Sequence, residues 1–283
     1  MANPQPRRTG PSSGFRWTYR RETLGLFALA ALAAACWAAS AVWNPPPGDR
    51  LTGPSRLPPP GTVPAGYDVR WLPLRGAVVS FYVAGLASAC SAAVAMVLTL
   101  GSTSSKRAFK LTASLTSVFA SLPRIPLVVA SILVLPPTPT SVALVFALLS
   151  WPHVAQAILP KARQVCKESY VEAARAFGAG WAWVASRYVF PSVLPTWIAS
   201  TSVTAAHAIV AEAGLSLLGL GDPTAPSWGR VAFNALNCPG AVYTLPGLMQ
   251  LTAPIALIVA TSYLLYLLGS RLAQEPDGSP STY

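Results

Sequence analysis

The chain has 283 residues, of which 53% are hydrophobic and only 10% charged, where an ordinary globular protein carries roughly a quarter. Twenty Lys and Arg outweigh nine Asp and Glu, for a net charge of +11. This balance excludes a water-soluble domain and a disordered chain, and no fixed period marks a fibrous repeat.

The charges are missing in blocks, and each block predicts a membrane-spanning helix of about 20 residues. The first span is 23–43, between Glu22 and Asp49, after an N-terminal tail 1–22. A Pro-rich segment 44–75 follows, read as extended because so many prolines remove helix donors. The second span runs from Gly76 to Leu100. The third, Leu111 to Leu135, is interrupted by Pro123-Arg124-Ile125-Pro126. Pro136-Pro137-Thr138-Pro139 predicts a turn, and the fourth span covers Ser141 to Leu159. The fifth occupies 188–211 and the sixth Leu248 to Gly269, before a tail 273–283. Lipid leaves each backbone group to be satisfied within its own segment, so the expected fold is all-α with six transmembrane helices.

Orientation follows from the basic residues. Arg7, Arg8, Arg16, Arg20 and Arg21 precede span one, Lys106, Arg107 and Lys110 follow span two, and Lys161, Arg163, Lys167, Arg175 and Arg187 follow span four. Fewer lie on the other side, so both termini are expected in the cytoplasm, with the positive surface facing anionic lipid and not nucleic acid. The first apolar run exceeds a signal-peptide core, and the expectation is that it is retained. Cys36, Cys90, Cys166 and Cys238 form no disulfide framework. His153 and His207 lie in different spans, and helix packing is the expected role of each.

The loop Lys161 to Arg187 carries the strongest local pattern. Tyr170, Ala173, Ala174 and Phe177 fall at helical spacing on one face, Glu172 and Arg175 share the other at ion-pairing distance, and Gly178 is placed to end the helix. Two uses fit an amphipathic helix at about 168–178: docking in a groove of a cytoplasmic partner, or lying on lipid headgroups.

Glu172-Ala173-Ala174, then Gly178, then nine residues leading to Tyr188-Val189-Phe190-Pro191, resemble the signature of the integral membrane permease subunits of ABC importers. The block Ala211 to Gly221 followed by Pro226-Ser227-Trp228-Gly229 is similar to the dipeptide, oligopeptide and nickel branch, as is Leu268 to Leu272. The resemblance covers about 111–272. It departs in two places: only Asp68-Val69-Arg70 stands where the branch has Gly-Arg-Asp, and no acid occurs between Asp68 and Glu168.

The resemblance implies a type I ABC importer permease fold with a core domain 76–272 and a cytoplasmic coupling helix. It implies a bacterial plasma membrane protein forming half of a peptide pathway, most simply in a heterodimer with a second permease subunit. Two cytoplasmic ATPase subunits and an extracytoplasmic substrate-binding protein complete the assembly. Tyr170, Glu172, Ala173, Ala174, Arg175, Phe177 and Gly178 are the implied ATPase-coupling residues. The chain has no Gly-x4-Gly-Lys-Ser/Thr loop, so ATP and Mg are expected on the partner ATPases, with no cofactor, metal or catalytic residue here. Gly219-Leu220-Gly221-Asp222 with Tyr67-Asp68 mimics an intramembrane aspartyl protease, but both acids fall in water-exposed outer segments, where a shared proton is not favoured. Nickel transport and a non-transport scaffold are the alternatives. Two pathway or gate candidates remain. Arg124, a charge inside a span, faces either a wet path or a counter-ion, and Glu212 either lines a gate or anchors an interface.

Overall fold

A computed structural model describes residues 72–132, 134–237, 243 and 245–273. The expected first span, most of the Pro-rich segment, both tails, Cys36 and Cys238 lie outside these residues. Every regular element described is helical.

Helix α1, Leu72–Ser102, is the axis of the bundle. At 31 residues it is about 46 Å long. It begins before the expected Gly76, because Pro73 falls in the first turn, where a missing N–H costs nothing. Ala77, Ser80, Ala84, Ala87, Ser91 and Ala95 make a buried stripe of small side chains. Among lipid tails two apolar surfaces gain little by meeting, so close backbone approach and interhelical hydrogen bonds must hold the helices together. Ser91 Oγ donates to Ala147 O at 3.1 Å, and Trp197 Nε1 donates to Ala92 O at 2.9 Å.

The expected third span is not one straight helix. It is α2, Lys106–Ala120, and α3, Arg124–Ile132, bent by 70° at the break. Pro123 and Pro126 remove two backbone donors at the junction. Pro139, expected in a turn, instead opens α4, Pro139–Val165, with Thr138 Oγ1 accepting from Ser141 N at 3.2 Å. This helix runs well past Leu159, since Lys161, Arg163 and Gln164 are good helix formers outside hydrocarbon. The expected Lys161 to Arg187 loop therefore shrinks to 166–180 around α5, Ser169–Ala176.

Next come α6, Trp181–Val184, a π-helical turn Ala185–Val189, and α7, Phe190–Leu217. They form one continuous 37-residue apolar rod, so the fifth span starts before 188 and ends beyond 211. Helix α8, Trp228–Asn237, and α9, Leu245–Ala273, complete the described chain. Among the described residues four helical stretches are long and apolar enough to cross a membrane, or five with the bent α2–α3 pair. Helices α4 and α7 both pack on α1, and α9 packs on α7 and α8.

Candidate functional site

At one end of the bundle, α5 is seated by one buried side chain and tied by a second, polar one. Val171 is 0% exposed and packs in the cluster formed by Met96, Ile158, Val165, Val184, Val189 and Val193, from α1, α4 and the first turns of the α6–α7 rod with its π turn. The face expected to be apolar points outward: Tyr170 is 48% and Phe177 93% exposed. Arg175, expected beside Glu172, reaches across to the end of α1 and donates to Thr103 O at 3.3 Å. Burial pushes the Cys166 thiol pKa up, and nearby Arg175 partly offsets this.

The spacing from Glu172 to Gly178 has a backbone cause. Gly178 N donates to Arg175 O at 2.9 Å and Ala179 N to Ala174 O at 3.0 Å, the double closure of a Schellman turn. That turn puts Gly178 at φ +91°. A Cβ there would meet no atom within 4 Å, so the need for glycine is conformational. Gly178→Ala is expected to cost about 1–2 kcal/mol and Gly178→Asn less, since Asn tolerates this region better. Transport per ATP hydrolysed should therefore fall in the order Gly, Asn, Ala.

An open groove of about 430 Å³ adjoins this turn, lined by Ala174, Phe177, Gly178, Ala179, Gly180 and Trp183. Trp183 meets the Tyr188 ring edge-on and Tyr170 meets it at a tilt, with centroids 5.4 and 5.3 Å away. Sequence reasoning missed Val171 and Trp183. The two tryptophans just after Gly178-Ala179-Gly180 were a visible signal.

At the other end of the bundle, Glu212 is 5% exposed. Ser80 Oγ donates to its Oε2 at 3.2 Å and Ser216 Oγ to its Oε1 at 2.7 Å. These hydroxyls accept in turn: Trp228 N donates to Ser80 Oγ (3.3 Å), and Ser227 Oγ donates to Ser216 Oγ (3.2 Å) while accepting from Arg230 N (3.2 Å). Two relays thus carry the N–H groups of the first turn of α8 to the two oxygens of one carboxylate, which suits the positive end of a helix dipole. Trp228 Nε1 donates to Pro73 O at 2.7 Å. A Cβ on Gly229 would lie 2.3 Å from Ala213 O, so only glycine lets α8 approach α7 this closely. Asp222 sits partly exposed in the intervening loop, where bonds from Thr224 Oγ1 and N hold its carboxyl below the usual range.

Between the two ends, Arg124 is the first residue of α3 and is half-buried. Its charge acts on His153 of α4 and His207 of α7. The sequence offered no sign of this convergence. No group of three His, Cys, Asp or Glu side chains placed to hold a metal ion occurs among the described residues.

A long, bent helical bundle carrying a short capped helix at one end and a serine-bound carboxylate at the other is the architecture of a transporter membrane subunit. Residues 78–274 match the family described as binding-protein-dependent transport system inner membrane component, and the chain belongs to that family. A protein of Brucella ovis provisionally named a peptide permease is 35% identical over 107 residues, 38% of this chain. The chain spans only about a third (35%) of that relative's length. A protein of Brucella suis biovar 1, provisionally named a peptide transport system permease, is 26% identical over 77% of this chain and 72% of its own. The fold is similar to that of a chain from inward-facing structures of the MetNI methionine ABC transporter, with a TM-score of 0.57 and 16% identity over 72% of this chain and 95% of that one.

Proposed function

We propose that the chain is one permease subunit of an ATP-driven peptide importer in a bacterial inner membrane, with both termini in the cytoplasm. A second permease subunit completes the pathway, two cytoplasmic ATPases bind ATP and Mg, and an extracytoplasmic binding protein delivers peptide. The names of the Brucella relatives support peptide as the cargo. The observation that carries the coupling role is α5 itself. Its Tyr170 and Phe177 face outward beside an open groove, while Val171 and Arg175 tie it to the bundle.

In this mechanism the ATPases grip Tyr170, Phe177 and the groove, with Glu172, Ala173 and Ala174 on the docked helix. Closure on ATP displaces α5, and Val171 passes the displacement to α1, α4 and the α6–α7 rod. Arg175 pulls on the Thr103 end of α1, whose other end carries Ser80, a ligand of Glu212. One helix therefore links the motor contact to the far closure, as a rigid-body transition requires. Phe177→Ala tests the docking face. It removes a side chain that touches almost nothing in the isolated chain, so the permease should fold normally while its ATPases are lost on co-purification. Retention of the ATPases with full uptake would refute the assignment.

A further inference from the structure

A charge at membrane depth is expensive and needs a counter-charge or water. Among the described residues the acids are Glu168, Glu172, Glu212 and Asp222. Glu168 is the N-cap residue of α5 and Glu172 lies within it, Glu212 receives two serine hydroxyls, and Asp222 is engaged by Thr224. None of them neutralises Arg124. Among the described residues its charge bears on His153 and His207, which can only add positive charge.

The depth is set by helix length. Helix α2 is 15 residues long, about 22 Å, so the break before Arg124 falls inside a hydrocarbon core of about 30 Å. His153 and His207 lie in the interiors of α4 and α7, well away from either end. Ser121, Leu122 and Pro123, the non-helical link, are all exposed. Irregular backbone at this depth is tolerated only against protein or a watery path. The link opens directly into the first turn of α3, where Leu127 N donates to Pro123 O at 3.3 Å and Pro126 has no N–H, so the positive end of that half-helix is presented by the N–H groups of Arg124 and Ile125. In secondary transporters, half-helix N-termini at mid-membrane receive anionic groups of the cargo, and the same electrostatics act here.

Resting on the peptide-import reading, we propose that Arg124, the N-terminal turn of α3, His153 and His207 form a pathway subsite for the C-terminal carboxylate of the transported peptide. Arg124 supplies a fixed charge and a two-pronged donor matched to a carboxylate. The histidines donate from α4 and α7, so the subsite is assembled from three elements that move relative to one another during transport.

The test uses the complete transporter in liposomes, with a mixed library of short peptides and the same library C-terminally amidated. Any preference imposed by the binding protein is identical in every permease variant, so the informative quantity is the change in the free-to-amide uptake ratio. Arg124→Gln is expected to lower that ratio roughly tenfold, the size of one lost charge-assisted hydrogen bond. Arg124→Lys should recover part of the ratio, and the double variant His153→Asn, His207→Asn should lose a smaller part. An unchanged ratio in Arg124→Gln overturns the subsite. So does equal loss of both libraries with loss of the second permease on purification, which would make a carboxylate of that subunit the counter-ion. If the wild-type complex imports neither library, the peptide-import reading itself fails and the subsite fails with it.

Discussion

Val171→Asp is expected to disconnect ATP hydrolysis from uptake while leaving the membrane bundle intact. The side chain is 0% exposed among apolar neighbours, and an unpaired carboxylate in such a place costs roughly 3–5 kcal/mol. Helix α5 has 8 residues, short of the roughly 12–15 that an isolated helix needs in water. It cannot hold its shape against that cost and should leave its seat. Val171→Ala keeps the seat apolar and forfeits only about 1.5 kcal/mol at 0.8 per methylene, so its coupling should be intermediate. Rates of ATP hydrolysis and uptake measured in the same liposomes check the series. Wild-type transport per ATP in the aspartate variant would remove α5 from the coupling mechanism.

Glu212→Ala should have the second largest effect, and on stability before transport. It strands the hydroxyls of Ser80 and Ser216 and the α8 N–H groups behind them, at about 1–3 kcal/mol for each buried group left unpaired. A total loss of about 3 kcal/mol should lower the melting temperature in detergent and expose the loop around Asp222 to protease. Glu212→Gln keeps one acceptor oxygen and should lose about a third as much. A protein with Ala at 212 that melts like wild type would mean that the relays carry no weight in the folded state.

The class of protein was readable because hydropathy over 20-residue windows reports the solvent directly. The helix terminus at Gly178 was readable for a similarly local reason: it is a left-handed residue, and glycine is the residue that bears it; the same stop at Gly219 was not read, since the fifth span was expected to end at 211. The bend before Arg124 was visible only as two prolines, because local sequence shows that donors are missing but not in which direction the chain then turns. The outward face of α5 was named correctly as apolar, but its anchor Val171 was missed. Helical periodicity groups residues by face and cannot say which face meets the protein.

What the sequence determined by itself is everything governed by the chain's nearest neighbours: an all-helical membrane subunit, the length of its apolar rods, and the capped helix between the fourth and fifth spans. The tertiary structure alone decided which side chains meet across that bundle. Ser80 lies 132 positions from Glu212 and Arg175 lies 72 from Thr103, while Arg124, His153 and His207 come from three separate helices. In lipid such polar meetings depend on how closely small residues let backbones approach, a property of paired surfaces that no single segment encodes.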